Sequence, residues 1–71
     1  MAKEVCAHIT GTVWKIEVKI GQAVNEGDTV VILESMKMEM PVESTASGKV
    51  REIRVKESEP VQEGQALVVL E

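Results

Sequence analysis

The twelve residues Thr29-Val30-Val31-Ile32-Leu33-Glu34-Ser35-Met36-Lys37-Met38-Glu39-Met40 contain no glycine, proline, asparagine or aspartate, yet the chain cannot run straight through them. At roughly 3.3 Å per residue they would extend to about 40 Å as one strand. A compact chain of 71 residues has a radius of gyration of only about 11 Å, so such a strand would overshoot the body. The segment must fold back on itself. The polar break after the apolar run Val30 to Leu33 puts Lys37, with Met36 and Met38 on either side, at or beside an exposed turn. Tight hairpins normally recruit Asn-Gly or Asp-Gly to supply positive backbone angles. Local rules fail here, and such failures concentrate at functional sites.

The rest of the chain sets the context for that turn. Residues 1–71 read as one small domain, which buries only about 60% of its unfolded-chain surface and depends on a regular core. The hydrophobic fraction is 44% with a single aromatic residue, and valine is its largest part, with isoleucine and leucine behind it, which favours strands. The formal charge of −4, spread along the chain, argues against nucleic-acid or anionic-membrane partners. No apolar run approaches the roughly 18 residues of a membrane span, and the opening residues lack the apolar region of a signal peptide. The expected location is cytoplasmic. One cysteine, Cys6, leaves no internal disulfide.

An internal repeat organises the strands. Residues 11–34 align without gaps on residues 48–71, pairing Gly11 with Gly48, Val13 with Val50, Ile16 with Ile53 and Val18 with Val55. Val24 meets Val61, Gly27 meets Gly64, Val31 meets Val68, Leu33 meets Leu70, and upstream Val5 matches Val42. The chain reads as two copies of one β unit. Each unit is a strand (Gly11 to Lys19, Gly48 to Lys56), a turn at Gly27 or Gly64, and an apolar strand (Thr29 to Leu33, Ala66 to Leu70). Helix is not expected, because no segment sustains a 3.6-residue pattern. Val13 is odd-numbered whereas Ile16 and Val18 are even, which predicts a bulge or corner near residue 14 or 15. The fold expected is all-β, two similar units packed face to face as a flattened antiparallel sandwich or barrel with pseudo-two-fold symmetry. Ser35 to Met40 then link the units, with Lys37 at one edge and both chain ends at the opposite edge.

Several residues invite a chemical reading. Met36, Met38 and Met40 could fill core gaps, as methionine often does, but a turning segment cannot place all three on one buried face. Trp14 would by default belong to the core, yet its repeat partner is Arg51, so it is expected to face outward and could anchor a partner. Cys6 and His8, two apart on one side of a strand, are too few ligands for a metal site. Ser35 has no histidine base at a suggestive spacing, and no nucleophile-base-orienter set is visible. Glu57 to Glu59 read as solvated loop, with Pro60 setting up the turn into Val61.

Glu34-Ser35-Met36-Lys37-Met38, centred between two β units, resembles the biotin/lipoyl attachment domain family, and its Met-Lys-Met core resembles the biotinyl branch. Gly11, Val13, Val24 and Gly27 before the lysine, and Gly48, Val61 and Gly64 after it, extend the resemblance over essentially the whole chain. The resemblance implies a barrel-sandwich hybrid fold with the lysine on an exposed hairpin. It implies that Lys37 receives biotin on its ε-amine from a biotin protein ligase, with Met36 and Met38 framing it for recognition. The domain would be no enzyme itself but a carrier serving the biotin carboxylase and carboxyltransferase components of a carboxylase. The cofactor's ring nitrogen carries the chemistry, carboxylated in an ATP-dependent step and then giving the carboxyl group to an acceptor.

Three departures from the family pattern stand out. Ala7-His8 lacks the usual proline, Ser58 stands where the first unit has Gly21, with Pro60 expected to reshape the turn, and the gapless repeat leaves no room for the protruding thumb of some acetyl-CoA carboxylase carriers. The last resembles thumbless carriers and small free-standing attachment proteins. A chain opening with methionine and ending at its last strand fits a free-standing protein, and an excised carrier domain would look the same. Lipoate is the alternative cofactor, although lipoyl domains place Asp before and Ala after the lysine and this chain has neither. Two rivals from other classes are a soft-metal binder using Met36, Met38 and Met40 with Cys6 and His8, and an interaction module that contacts a partner through its methionine hairpin.

Overall fold

The computed structural model describes residues 3–71, so the opening methionine lies outside the described residues. Eight strands are formed: β1 (Lys3–Cys6), β2 (Gly11–Ile16), β3 (Ala23–Val24), β4 (Thr29–Ser35), β5 (Met38–Glu43), β6 (Gly48–Ile53), β7 (Pro60–Val61) and β8 (Ala66–Leu70). They make two antiparallel four-stranded sheets, ordered β1-β8-β6-β3 and β5-β4-β2-β7. The repeat carries β1 onto β5, β8 onto β4, β6 onto β2 and β3 onto β7, so one sheet maps onto the other strand for strand. The architecture is the expected all-β sandwich with pseudo-two-fold symmetry.

The units interlock, however, where face-to-face packing of two separate units was expected. Each sheet takes strands from both halves of the chain: β3 crosses to pair with β6, Ala23 opposite Lys49, and β7 crosses to pair with β2, Gly11 opposite Val61. Neither half can therefore complete a sheet alone. The core lies between the sheets and repeats with the sequence. Val5 and Val42, Val13 and Val50, Val24 and Val61, Val31 and Val68, and Leu33 and Leu70 are all buried. Small β-branched side chains suit a body only 18 Å across in two directions and 33 Å along the third. Thr29 to Met40, at roughly 40 Å extended, would indeed outrun it.

The predicted bulge is present in both units. Registers shift between Val13 and Lys15 in β2, and between Val50 and Glu52 in β6. Trp14 and Lys15 together oppose Ile32, as Arg51 and Glu52 together oppose Val69.

Four turns follow one design. Gln22 N donates to Lys19 O, Asp28 N to Asn25 O, Glu59 N to Lys56 O and Gln65 N to Gln62 O, all at 3.0–3.1 Å. In each, the fourth residue's side-chain oxygen accepts the first residue's N–H: Gln22 from Lys19, Asp28 from Asn25, Glu59 from Lys56 and Gln65 from Gln62. The third residue has positive φ, as type II turns require: Gly21, Gly27, Ser58 and Gly64. Glu57 to Glu59 is thus the expected loop, exposed at Glu57 and Ser58 and ordered as a turn. Pro60 does not reshape it, since Ser58 accepts φ +72° where Gly21 has +87°. Ser58 N donates to Val13 O as Gly21 N donates to Val50 O, both at 2.7 Å. Pro60 instead opens β7, an edge strand where a residue lacking an N–H costs nothing on its outer side.

Candidate functional site

The β4–β5 hairpin is built from the segment that had to fold back. Its ladder runs through Ile32 opposite Pro41, Leu33 opposite Met40, Glu34 opposite Glu39 and Ser35 opposite Met38. The loop is therefore two residues, Met36 and Lys37, where a six-residue linker from Ser35 to Met40 was expected. The hydrogen-bonded strands simply continue into it. Both loop residues have positive φ, +53° at Met36 and +64° at Lys37, the signature of the type I′ turn that matches strand twist. That turn ordinarily holds Asn-Gly, and a side chain with a Cβ costs about 1–2 kcal/mol in this region.

Burial does not repay that cost. Met36 is 91% exposed and Met38 61% exposed; only Met40, opposite buried Leu33, is partly covered. Neither backbone preference nor packing selects methionine at position 36. Replacing Met36 with glycine is expected to stabilise the fold by about 0.5–1 kcal/mol, the relief of strain less glycine's own entropic cost. The midpoint of thermal unfolding should rise by about 3–6 °C, measurable by circular dichroism.

Electrostatics isolate the lysine. Lys37 is the one cation in the whole hairpin, Thr29 to Glu43, which also holds Glu34, Glu39 and Glu43. Glu34 faces Glu39 directly across the ladder, a like-charge pairing that strands avoid. Even so, the ion pairs among the described residues are Lys15 with Glu17 and Arg54 with Glu52, and neither involves Lys37. Its ammonium group is exposed at the tip of a braced two-strand arm. It stands exposed to an external reagent, and no ion pair among the described residues involves it.

The arm points away from Lys3 and Leu70, near the two ends of the described chain, as the symmetry predicted. β5 runs about 20 Å from the tip to Glu43, and just past it Ser47 O accepts a bond from Lys3 Nζ at 3.1 Å. Lys3 in turn sits opposite Leu70. Cys6 and His8 line an open groove with Glu26, Pro41, Val42, Glu43, Ser44 and Thr45. β1 stops at Cys6, so His8 is outside the strand on which the pair was expected to align. Met36, Met38 and Met40 are not among the residues that line this groove, so the imagined thioether, thiol and imidazole set does not share it. Among the described residues no three of His, Cys, Asp or Glu gather as metal ligands.

Comparisons with known proteins agree with this geometry. The sequence profile of the biotin/lipoyl family, described as biotin-requiring enzyme, matches residues 3–70. The chain is 45% identical over 47 residues to the biotin/lipoyl attachment protein of Bacillus subtilis, covering 66% of this chain and 64% of that one. It is 52% identical over 42 residues to the biotinylated protein TB7.3 homolog of Mycolicibacterium smegmatis, covering 59% of each. The matched stretches thus span about three fifths of these relatives. Among solved structures, the Kluyveromyces lactis urea carboxylase superposes on the whole chain with a TM-score of 0.93 and 38% identity, using 6% of its own length. A profile that runs from β1 to the last residue of β8 takes in the exposed hairpin and both halves of the repeat, and the chain belongs to the biotin/lipoyl attachment family.

Proposed function

We propose that this chain is a biotinyl carrier. Lys37 receives biotin from a biotin protein ligase, and the domain presents it to the biotin carboxylase and carboxyltransferase components of a cytoplasmic biotin-dependent carboxylase, supplying no catalytic residue itself. The observation that carries this reading is the hairpin tip: a solitary exposed lysine on a type I′ turn, between two exposed methionines that serve neither turn nor core. The relatives' names, biotinylated protein TB7.3 and biotin/lipoyl attachment protein, support the choice of cofactor.

The residues present fit the group. Amide formation needs a primary amine that can be reached from outside, and the exposure of Lys37 at the hairpin tip supports its choice. The bond removes one positive charge, making the formal charge of −4 one unit more negative. When attached, the bicyclic cofactor supplies a ring nitrogen that accepts and yields a carboxyl group. The chain's own part is presentation. The β4–β5 ladder holds the lysine clear of the body, Met36 and Met38 offer soft apolar contacts beside it, and the tether raises the local concentration of the group at each active site.

The test is a paired labelling reaction. Purified chain incubated with ATP, biotin and a biotin protein ligase should gain the mass of one biotin less water. Incubation with lipoate and a lipoate ligase should give little or no shift. A chain that stays unmodified in the first reaction, or prefers lipoate, contradicts the reading. In the same assay Met36→Gly should load more slowly than wild type despite its greater stability, separating recognition from folding.

A further inference from the structure

The repeat provides an internal control for the protein's surface. Positions related by it are buried together throughout the core, with one exception. Val69 is 4% exposed, whereas its counterpart Ile32 is only partly buried and is not packed into the core. Both lie at the centre of an outward-facing row across their sheets. In the terminal-end sheet the row is Glu4, Val69, then Arg51 and Glu52 at the bulge, so Val69 lies among long charged side chains. In the hairpin sheet the same row is Pro41, Ile32, then Trp14 and Lys15. Glutamate has become proline, and arginine has become a tryptophan left 48% exposed.

We propose that Trp14, Ile32 and Pro41 form the docking surface for a carboxylase component that acts on the group carried by Lys37; this rests on the carrier reading. Position and charge identify the occupant. The patch lies on the strands that end in the tip, about 16 Å of strand from Lys37, so a partner seated on it has its own surface within reach of the tethered group. Between patch and tip lies the Glu34–Glu39 row, which calls for a partner with an apolar pocket rimmed by basic side chains. A second copy stacked with its hairpin in the same direction would bring glutamates against glutamates. A large rigid aromatic beside a β-branched residue is the composition of an interface anchor.

The experiment uses biotin-loaded wild type, Trp14→Arg, Trp14→Ala and Arg51→Ala, with loading and fold checked by intact mass and circular dichroism. Trp14→Arg installs the residue that the other unit already tolerates. Each carrier is titrated into purified biotin carboxylase, following bicarbonate-dependent ATP hydrolysis, and into purified carboxyltransferase, following acceptor carboxylation. Both Trp14 variants should raise the KM for carrier about tenfold or more with at least one component, with kcat nearly unchanged, while Arg51→Ala stays at the wild-type value. Unchanged KM with both components overturns the docking surface, as does an equal effect from Arg51→Ala. Self-association of the wild type that Trp14→Arg abolishes overturns the choice of occupant. A wild type that takes no biotin on Lys37 refutes the carrier reading and this proposal together, an outcome the mass measurement separates from the others.

Discussion

Replacing Lys37 with arginine is expected to abolish biotin loading, and with it all carrier-dependent turnover, while leaving thermal unfolding unchanged. The side chain is exposed, has no ion-pair partner among the described residues and adds nothing to the core. Arginine keeps its charge and meets the same backbone strain at φ +64°. Substitutions of this kind alter stability by no more than about 0.5 kcal/mol. The chemistry is far less tolerant. Amide formation needs a nitrogen lone pair, and the guanidinium group does not give up its proton in proteins. Intact mass should show full loading of wild type and none of Lys37→Arg, with overlapping melting curves. Residual loading of the variant would mean that another nitrogen is the acceptor. A plain interaction module would instead keep its activity, because this substitution preserves the shape and charge of the tip.

Gly11→Val is expected to be the most destabilising change at the base of the hairpin. A Cβ at Gly11 would stand 2.6 Å from Glu34 O and 3.5 Å from Ser35 Cβ, closer to a backbone oxygen than real Cβ atoms come. Glu34 cannot retreat easily, because its residue pairs with Thr12 on one side and Glu39 on the other. Overpacking of this kind costs about 2–3 kcal/mol, against a total of roughly 4–10 kcal/mol for a chain of this size. The midpoint of thermal unfolding should fall by about 10–20 °C.

Gly48→Val makes the informative comparison. Its Cβ would come still closer to a backbone oxygen, Glu71 O, and stand 3.3 Å from Leu70 Cβ, but Glu71 lies past the end of β8 and is held by its N–H to Lys49 O. Glu71 is outside the strand ladder that holds Glu34 on both sides, so Gly48→Val is expected to cost less than Gly11→Val. Equal or reversed costs would show that the hairpin base is not the rigid platform described.

Much of this was legible in the residues because the chain states its design twice. The valines shared between the units marked the core, and the switch from odd to even apolar positions marked both bulges. Trp14 was placed outward by its pairing with Arg51. The need for a fold-back followed from length, and the polar break after Leu33 placed it at or beside Lys37. What escaped had physical reasons. β3 and β7 are two residues each, too short for any alternation, so only Val24 and Val61 hinted at them. The crossing of these strands to the other unit is a tertiary choice that leaves no local pattern. Ser58 could not be read as a turn residue from its type, because its positive φ is imposed by bonds from the partner unit. The row joining Trp14, Ile32 and Pro41 depends on register across three strands, which no single stretch of sequence encodes.

The carrier reading is tested most directly by the mass of the protein purified from its native cells, with the modified peptide sequenced. The expected result is one biotin per chain, in amide linkage to Lys37 and to no other lysine. An unmodified Lys37, or a lipoyl group in its place, would contradict it.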